Sequence, residues 1–475
     1  MATRIGQLAQ EVAAQNPWWR GPGWEQQDRD LTQATQSGLN YRSDVLANLA
    51  QGCLYVLRGP RRVGKTVAVK QLIVDLLAAA VPPTAIVRVA VDGWAAKDLR
   101  TLTQNAALPR VPPGTRRYWL LDEVTSVNGD WPEQLKWLRD NDPEFADATV
   151  VLTGSSATRL TEAVGVLAGR RGRGTHLDRT LLPMGFRTFA HHIMTGPPPQ
   201  VGQLPVSGLK TTAAADTFRA LTPWLNDLVR TWELYLMYGG YPVAVTAAKN
   251  GDTVPAWFVN DLFDIVANDA FRTSQLPETV EMALLERLWS TITSFAVHSK
   301  IGLDLGVSHE VVARHVGFLR NAYLLWPCPQ KQDTAWTAKE RAQDKVYAVD
   351  PLLARLPHLR NPRRRDIDTT ALAEMQVGNA VRRRIFSEAP ISLTDHSVFH
   401  VRTPTRKEID FVSEHLGGVA IEGKYTEGSW KSEAATVDAS PWSGLLATRN
   451  VLEFPADPAK TWAVPAAMLT YVLDA

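Results

Sequence analysis

The sequence has little cysteine, no long apolar run and almost no net charge. Only Cys53 and Cys328 occur in 475 residues, which excludes a disulfide framework and any cysteine-based zinc module. The most apolar stretch, residues 72–91, is broken by an aspartate and a proline pair, and the first residues lack the apolar segment of a signal peptide. These features predict a cytoplasmic protein with no membrane partner.

Positive and negative charges nearly cancel, with 51 Lys+Arg against 49 Asp+Glu, so the net charge of +2 indicates no particular partner. The balance conceals two local biases. Residues 118–147 contain eight acidic and two basic side chains, whereas residues 339–407 contain fourteen basic and eight acidic ones. We therefore expect any attraction for a polyanion in the C-terminal part of the chain.

The most specific pattern is G-x-x-x-x-G-K-[ST], formed by Gly59, Pro60, Arg61, Arg62, Val63, Gly64, Lys65 and Thr66. An apolar strand precedes it, and helical apolar spacing follows it, which is the order that a phosphate-binding loop requires. The loop, together with Val67, is predicted to bind ATP. Lys65 would neutralise the β- and γ-phosphates, and the Thr66 hydroxyl would ligate Mg²⁺.

A second apolar strand, residues 118–121, ends on two carboxylates. Asp122 is predicted to hold Mg²⁺, and Glu123 to activate the attacking water as general base. A third strand ends at Thr153, and Ser155 is the first candidate for a hydroxyl beside the γ-phosphate, with Thr153 as the second.

Three arginines in residues 169–173 follow a predicted helix. Arg170 is the first candidate for a residue that reaches a γ-phosphate, in its own subunit or a neighbour's, with Arg171 and Arg173 left open. A solvated basic turn explains them equally well.

Five predicted strands, residues 54–57, 86–91, 118–121, 150–153 and 177–182, alternate with helices. This pattern predicts a parallel, three-layer α/β core.

On these motifs, and on residues 16–19, 152–156, 167–170, 182–187, 238–242, 408–412 and 421–425, the chain resembles the AAA-type P-loop ATPases with a C-terminal domain of the PD-(D/E)xK nuclease type. The resemblance implies an N-terminal helical segment (1–45), an ATPase core (46–195), a linker and helical lid (196–280), a winged helix (281–345) and a nuclease-like α/β domain (346–475). Within the winged helix, residues 308–321 would form a recognition helix capped by Ser308, with His309, Arg314 and Arg320 exposed to DNA or to a protein.

In the C-terminal region, residues 408–413 and 419–425 are predicted to form a hairpin joined by His415, Leu416 and Gly417. That register sets Asp410 opposite Glu422, and Glu408 opposite Lys424, on one face. Asp410 and Glu422 would bind Mg²⁺, and Lys424 would orient water or balance phosphate charge. By itself the spacing also fits a solvated, salt-bridged hairpin.

The sequence departs from the nuclease-like pattern at Gly378, which stands where the family usually has a helix glutamate. Glu374, one helical turn earlier, could substitute for it. The alternative is a degenerate site that binds nucleic acid or a partner. Arginine triplets at 363–365 and 382–384 offer charge suited to phosphate.

The main hypothesis is therefore a Mg²⁺-dependent ATPase that couples ATP hydrolysis to a DNA-binding, nuclease-like domain. The second is a nucleotide-controlled switch that binds DNA or a protein without cutting. Homo-oligomerisation stays open, as do the pathway and the preferred DNA structure.

Overall fold

The computed structural model describes residues 2–103, 108–271, 274–389, 395–402, 407–425, 430–457 and 459–474. The chain forms two compact units, Met1–Leu181 and Leu182–Ala475, called here the first and second units. Within the described residues, no helix is both long and apolar enough to cross a membrane.

The first unit is built on five parallel strands in the order β2-β3-β4-β1-β5. The strands are β1 (Leu54–Arg58), β2 (Ile86–Ala90), β3 (Tyr118–Asp122), β4 (Thr149–Thr153) and β5 (Asp178–Thr180). The helices are α1 (Ala2–Gln15), α2 (Arg29–Gln36), α3 (Lys65–Ala78), α4 (Ala96–Thr103), α5 (Trp131–Asn141), α6 (Pro143–Asp147) and α7 (Ala157–Val166). The predicted α/β core of a P-loop fold is confirmed.

Alternate side chains of these strands face opposite sides of the sheet, and both sides are buried. Leu54 and Val56 of β1 join one apolar cluster with side chains of α1, α4, α5 and α7. Tyr55 and Leu57 are also fully buried on the other side. A sheet buried on both faces explains why its strands read as continuous apolar runs.

The N-terminal segment covers the exposed edge of β2. The Asn16 side chain donates to Arg88 O and accepts from Arg88 N, both at 2.7 Å. The indole N–H groups of Trp18 and Trp19 both donate to Ile86 O, at 3.1 and 3.0 Å. Side chains thus satisfy backbone groups that an edge strand would otherwise leave open.

The second unit begins with helices α8 (Phe186–Ile193), α9 (Thr212–Ala220), α10 (Leu225–Tyr238), α11 (Pro242–Asn250) and α12 (Ala256–Phe271). Three more follow, α13 (Glu278–Trp289), α14 (His298–Leu305) and α15 (His309–Asn321), and then an antiparallel pair, β6 (Leu325–Cys328) and β7 (Lys345–Ala348). Ser308 caps α15 as predicted. His309 and Arg314 are exposed, but Arg320 is partly buried, because it lies near the end of α15, where the chain turns into β6.

The rest of the second unit is a mixed five-stranded sheet in the order β12-β11-β10-β9-β8. The elements are α16 (Pro351–Arg360), α17 (Thr369–Glu388), β8 (Phe399–Arg402), β9 (Glu408–Val412), β10 (Val419–Lys424), α18 (Lys431–Asp438), β11 (Ser443–Thr448), β12 (Trp462–Pro465) and α19 (Ala466–Leu473). β8, β9 and β10 pair antiparallel, whereas β10, β11 and β12 pair parallel. The predicted α/β region at the C-terminal end is therefore present.

Candidate functional site

The phosphate-binding loop joins β1 to α3 through unusual backbone angles. φ is +136° at Gly59, +68° at Arg62 and +96° at Gly64. At Gly59 a Cβ atom would lie 1.9 Å from the carbonyl oxygen of Leu181, so only glycine fits. Gly64 is the N-cap of α3, which leaves the first N–H groups of that helix available to an anion.

Lys65, the first residue of α3, is buried inside this loop. Its ammonium group donates to the carbonyl oxygens of Gly59 at 2.9 Å and Pro60 at 2.8 Å. Both acceptors belong to the loop, so the lysine holds the curved backbone around the position that a phosphate would take.

Asp122 ends β3 and is 3% exposed. One carboxylate oxygen accepts a hydrogen bond from the Thr153 hydroxyl, and the other pairs with Arg88 at 2.6 Å. Arg88 lies on the neighbouring strand, and Asn16 holds its backbone. The carboxylate is therefore fixed from both sides. The Asp122 carboxylate and the hydroxyl of Thr66, the second residue of α3, are hard oxygen groups of the kind that Mg²⁺ shared with nucleotide phosphates prefers, although Arg88 and Thr153 already engage both Asp122 oxygens.

Glu123 follows directly and has left-handed backbone angles, φ +59° and ψ +39°. Its carboxylate accepts from the backbone N–H of Ser155 at 3.0 Å, and its own N–H donates to the Thr153 hydroxyl at 3.2 Å. A left-handed non-glycine residue is uncommon and often marks a functional position. The hydroxyl of Thr153, the second candidate, donates to the Asp122 carboxylate and accepts from Glu123 N, whereas Ser155 contacts the Glu123 carboxylate through its backbone N–H.

Arg170 and Arg171 lie at the end of the sheet opposite to the loop. Arg171 O accepts from Leu54 N at the start of β1, and its side chain pairs with Asp178. Arg170 pairs with Asp140, near the end of α5, at 2.7 Å. β1 runs from this end of the sheet to Gly59 at the other, so its full length separates Arg170 from the loop. The prediction that Arg170 reaches the phosphate of its own subunit is therefore wrong. The neighbour-subunit alternative is unaffected.

A cluster of four carboxylates and two lysines occupies the second unit. We call it the carboxylate cluster: Glu374, Glu408, Asp410 and Glu422 with Lys345 and Lys424. The predicted hairpin register is confirmed, because Ile421 pairs with Phe411 and Asp410 is thus opposite Glu422. The connection is longer than predicted, residues 413–418 with a turn at Glu414–Leu416, and Gly417 has the expected left-handed φ of +60°.

Lys345 lies among three of the carboxylates. Its ammonium nitrogen is 2.9 Å from Glu374, 2.5 Å from Glu408 and 2.9 Å from Asp410. Lys424 lies 3.1 Å from the fourth, Glu422. The Tyr347 hydroxyl donates to Glu374 at 2.6 Å.

The predicted metal pair is engaged by the protein itself. Asp410 Oδ1 faces Lys345, and its Oδ2 accepts from Gly423 N at 2.8 Å. Glu422 Oε2 accepts from Asp410 N at 3.1 Å, and its Oε1 faces Lys424. Within the described ranges, no three His, Cys, Asp or Glu side chains could hold a metal ion. The cluster residues therefore do not fit a Mg²⁺ site formed by protein side chains.

Gly378 proves to be a packing position. A Cβ atom there would lie 2.6 Å from the Phe411 ring and 3.3 Å from Trp326. A glutamate would collide with this apolar layer, because α17 lies directly against it. Glu374 instead contacts Lys345 at 2.9 Å, and its substitution for the missing helix glutamate stays a prediction.

Burial and the neighbouring negative charge raise the pKa values of two acids in the cluster. Burial raises the pKa of Glu422 to about 8, helped by Asp410 and opposed by Lys424. Burial also raises the pKa of Glu374 to about 7, helped by Asp410 and opposed by Lys345. Burial disfavours the charge on Lys345, but Asp410, Glu374 and Glu408 together raise its pKa above the usual value. The lysine is therefore charged at neutral pH.

The two arginine triplets differ in exposure. Arg382 is buried over the Trp326 ring, Arg383 donates to Val349 O, and Arg384 pairs with Glu388 at 2.6 Å. This triplet serves internal packing, contrary to the phosphate-binding expectation. Residues 363–365 are exposed.

Sequence reasoning missed Arg88 and Lys345. Neither belongs to a recognisable motif, and each lies far along the chain from its partners, 34 residues for Arg88 and Asp122 and 65 for Lys345 and Asp410. The one local signal is at Arg88, a charge within an otherwise apolar strand, which calls for a buried partner.

The parallel sheet and the phosphate-binding loop give the first unit a P-loop NTPase fold. Residues 52–190 match a family described as an AAA domain, and residues 229–362 match a domain of unknown function (DUF8612). No curated protein was found to match the chain.

Solved structures similar to the chain include the Walker-type ATPase of Pyrococcus abyssi, with 13% identity, a TM-score of 0.38 and coverage of 69% of this chain and 95% of that one. The ORC1 protein of Aeropyrum pernix in complex with DNA has 12% identity, a TM-score of 0.28 and coverage of 78% and 97%. The ORC2 protein of the same organism, in its ADPNP–ADP complexes, has 12% identity, a TM-score of 0.31 and coverage of 70% and 93%.

Proposed function

We propose that the protein is a Mg²⁺-dependent ATPase. The observation that carries this proposal is the phosphate-binding loop, with Lys65 inside it, on the same sheet as the acidic pair Asp122 and Glu123. Lys65 and the N–H groups of residues 59–67 would bind the phosphates. Thr66 and Asp122 would hold Mg²⁺, which would neutralise charge between the β- and γ-phosphates. Glu123 would orient and deprotonate the attacking water, and Thr153 or Ser155 would contact the γ-phosphate.

The test is ATP turnover by the full chain with Mg²⁺, in the wild type and in Lys65→Ala. We expect turnover in the wild type and loss of nucleotide binding in the variant. Lys136→Ala is the matched control, since Lys136 forms a surface pair with Glu133 in the same unit. Turnover that survives Lys65→Ala at the wild-type rate would refute the proposal.

We further propose that the second unit binds DNA and that its affinity depends on the nucleotide state. Two features support DNA binding: the order of α13, α14, α15, β6 and β7, which a winged helix would have, and the exposed arginines 363–365. The expected domain boundaries, 1–45, 46–195, 196–280, 281–345 and 346–475, belong to this proposal.

Fluorescence anisotropy with labelled duplex DNA tests the second proposal. Replacing Arg363, Arg364 and Arg365 together by alanine should weaken binding. The slope of the logarithm of the binding constant against the logarithm of the salt concentration should become shallower by about 0.9 for each phosphate contact that is lost. Arg219→Ala with Arg230→Ala is the control, because both arginines are exposed and pair within their own helices. Equal affinity of both variants and the wild type would contradict DNA binding through this surface.

Of the two sequence hypotheses, the geometry of the carboxylate cluster favours the switch that does not cut. Cleavage would need a metal at Asp410 and Glu422 and a water or phosphate at Lys424. The observation against it is that protein donors already engage both acids. Incubating DNA with Mg²⁺ or Mn²⁺ decides, because nicking that disappears in Asp410→Ala would restore the nuclease hypothesis.

A further inference from the structure

The carboxylate cluster carries a cation of its own. We propose that the Lys345 ammonium group takes the place of a divalent cation in the nuclease-like fold, so that the second unit binds no metal at this cluster. The proposal deepens the non-cutting function above and rests on the nuclease-like interpretation of the second unit. It concerns Lys345, to which no sequence pattern assigned a role.

The first argument is geometric. Glu374, Glu408 and Asp410 point at one nitrogen atom, with ammonium-to-carboxylate distances of 2.5–2.9 Å. An ammonium group carries three N–H donors and no acceptor. Three carboxylates around it therefore complete its surroundings, and the oxygen atoms that a metal would need are directed at the lysine.

The second argument is that the lysine is fixed. Lys345 lies on β7, which pairs with β6 along its whole length, and the residue is only 5% exposed. The next two side chains, Val346 and Tyr347, are buried, and the Tyr347 hydroxyl secures Glu374. Removing the ammonium group from this position would leave a buried charge without its partners, which is strongly unfavourable.

The third argument is charge. Mg²⁺ placed between Asp410 and Glu422 would lie within a few ångströms of both Lys345 and Lys424, and the low dielectric of a buried site strengthens the repulsion. Mg²⁺ also requires near-octahedral oxygen geometry and usually keeps several waters. The backbone N–H of Asp410 already donates to Glu422 Oε2, and the backbone N–H of Gly423 donates to Asp410 Oδ2. The cluster thus ties β7, α17, β9 and β10 together as a structural element.

Mn²⁺ binding to nucleotide-free full chain, followed by electron paramagnetic resonance, tests the proposal. Wild-type protein and Asp410→Asn should bind the same amount of Mn²⁺, because the wild-type cluster binds none. Lys345→Met should gain a bound Mn²⁺, with an affinity at least about tenfold above any residual binding to the wild type, because a positive charge beside the acids is gone. The added Asp410→Asn change should abolish that gain. Lys431→Met, which removes an exposed lysine of the same unit, should gain nothing.

Wild-type protein that binds Mn²⁺ in a manner lost in Asp410→Asn would overturn the proposal. That measurement needs no lysine variant, so it decides the question even if Lys345→Met fails to fold. Lys345→Arg keeps the positive charge and should bind no Mn²⁺ at the carboxylate cluster. Mn²⁺ binding by this variant would also contradict the proposal. DNA anisotropy on the same preparations separates the two ideas, since absent DNA binding would refute the proposed function while leaving the Mn²⁺ result intact.

Discussion

The two polar sites use the same residue types in different ways. In the first unit, Lys65 lies in a backbone loop, and Asp122 and Glu123 are each held by separate partners at the end of a strand. In the second unit, one lysine contacts three carboxylates at once. In the first arrangement the lysine contacts only backbone carbonyls of the loop, whereas in the second the lysine neutralises the carboxylates directly. A lysine with two acids at motif spacing therefore predicts a catalytic site only when the surrounding backbone also forms a binding site for a ligand.

The largest expected difference between the sites is in ATP turnover. Glu123→Gln keeps the size and hydrogen bonding of the side chain but removes the base, so turnover should fall about 10²- to 10³-fold while ATP still binds. Asp410→Asn in the other site should leave turnover within about twofold of the wild type, since we assign it no role in hydrolysis. Single-turnover ATP hydrolysis and nucleotide binding on the same samples provide the measurement. Equal losses in both variants would mean that the sites do not differ as proposed.

The second effect is on stability and concerns Gly378. Gly378→Ala forces a Cβ atom against Phe411 and Trp326, and we expect the free energy of unfolding to fall by about 1–3 kcal/mol. Gly317→Ala is the matched control, because this glycine also lies inside a helix of the second unit but has open space around it. The control should be neutral or slightly stabilising. Urea unfolding of both variants measures the difference, and equal midpoints would show that position 378 is not tightly packed.

The third effect concerns how Asp122 is oriented. Arg88→Met removes one of the two groups that fix the carboxylate, and we expect about tenfold more Mg²⁺ to be needed for half-maximal turnover. Arg116→Met, at an exposed position of the same unit, serves as control. A Mg²⁺ requirement unchanged in Arg88→Met would mean that Thr153 alone positions Asp122.

The sequence predicted the local features of both sites. The loop, the strand that ends on Asp122 and the Asp410–Glu422 register all follow from short-range rules of strand alternation, helix spacing and turn geometry. Strand order, Arg88 beside Asp122 and Lys345 beside Asp410 depend on which distant segments pack together, and no local pattern carries that information. Gly378 shows the same limit, because its role follows from the Phe411 ring on β9, a strand distant from α17 in the sequence.

The smallest expected effect comes from Arg170. Its side chain is partly exposed and pairs with Asp140 at the end of the sheet away from the loop, so it contributes nothing to the phosphate site of its own subunit. Arg170→Ala should therefore leave the turnover of isolated subunits within about twofold of the wild type, because surface ion pairs contribute little. Turnover measured over a range of protein concentrations separates the alternatives. A loss that grows with concentration would indicate that Arg170 acts on a neighbouring subunit, and mixing Arg170→Ala with Lys65→Ala protein would then restore part of the activity through complementary subunits.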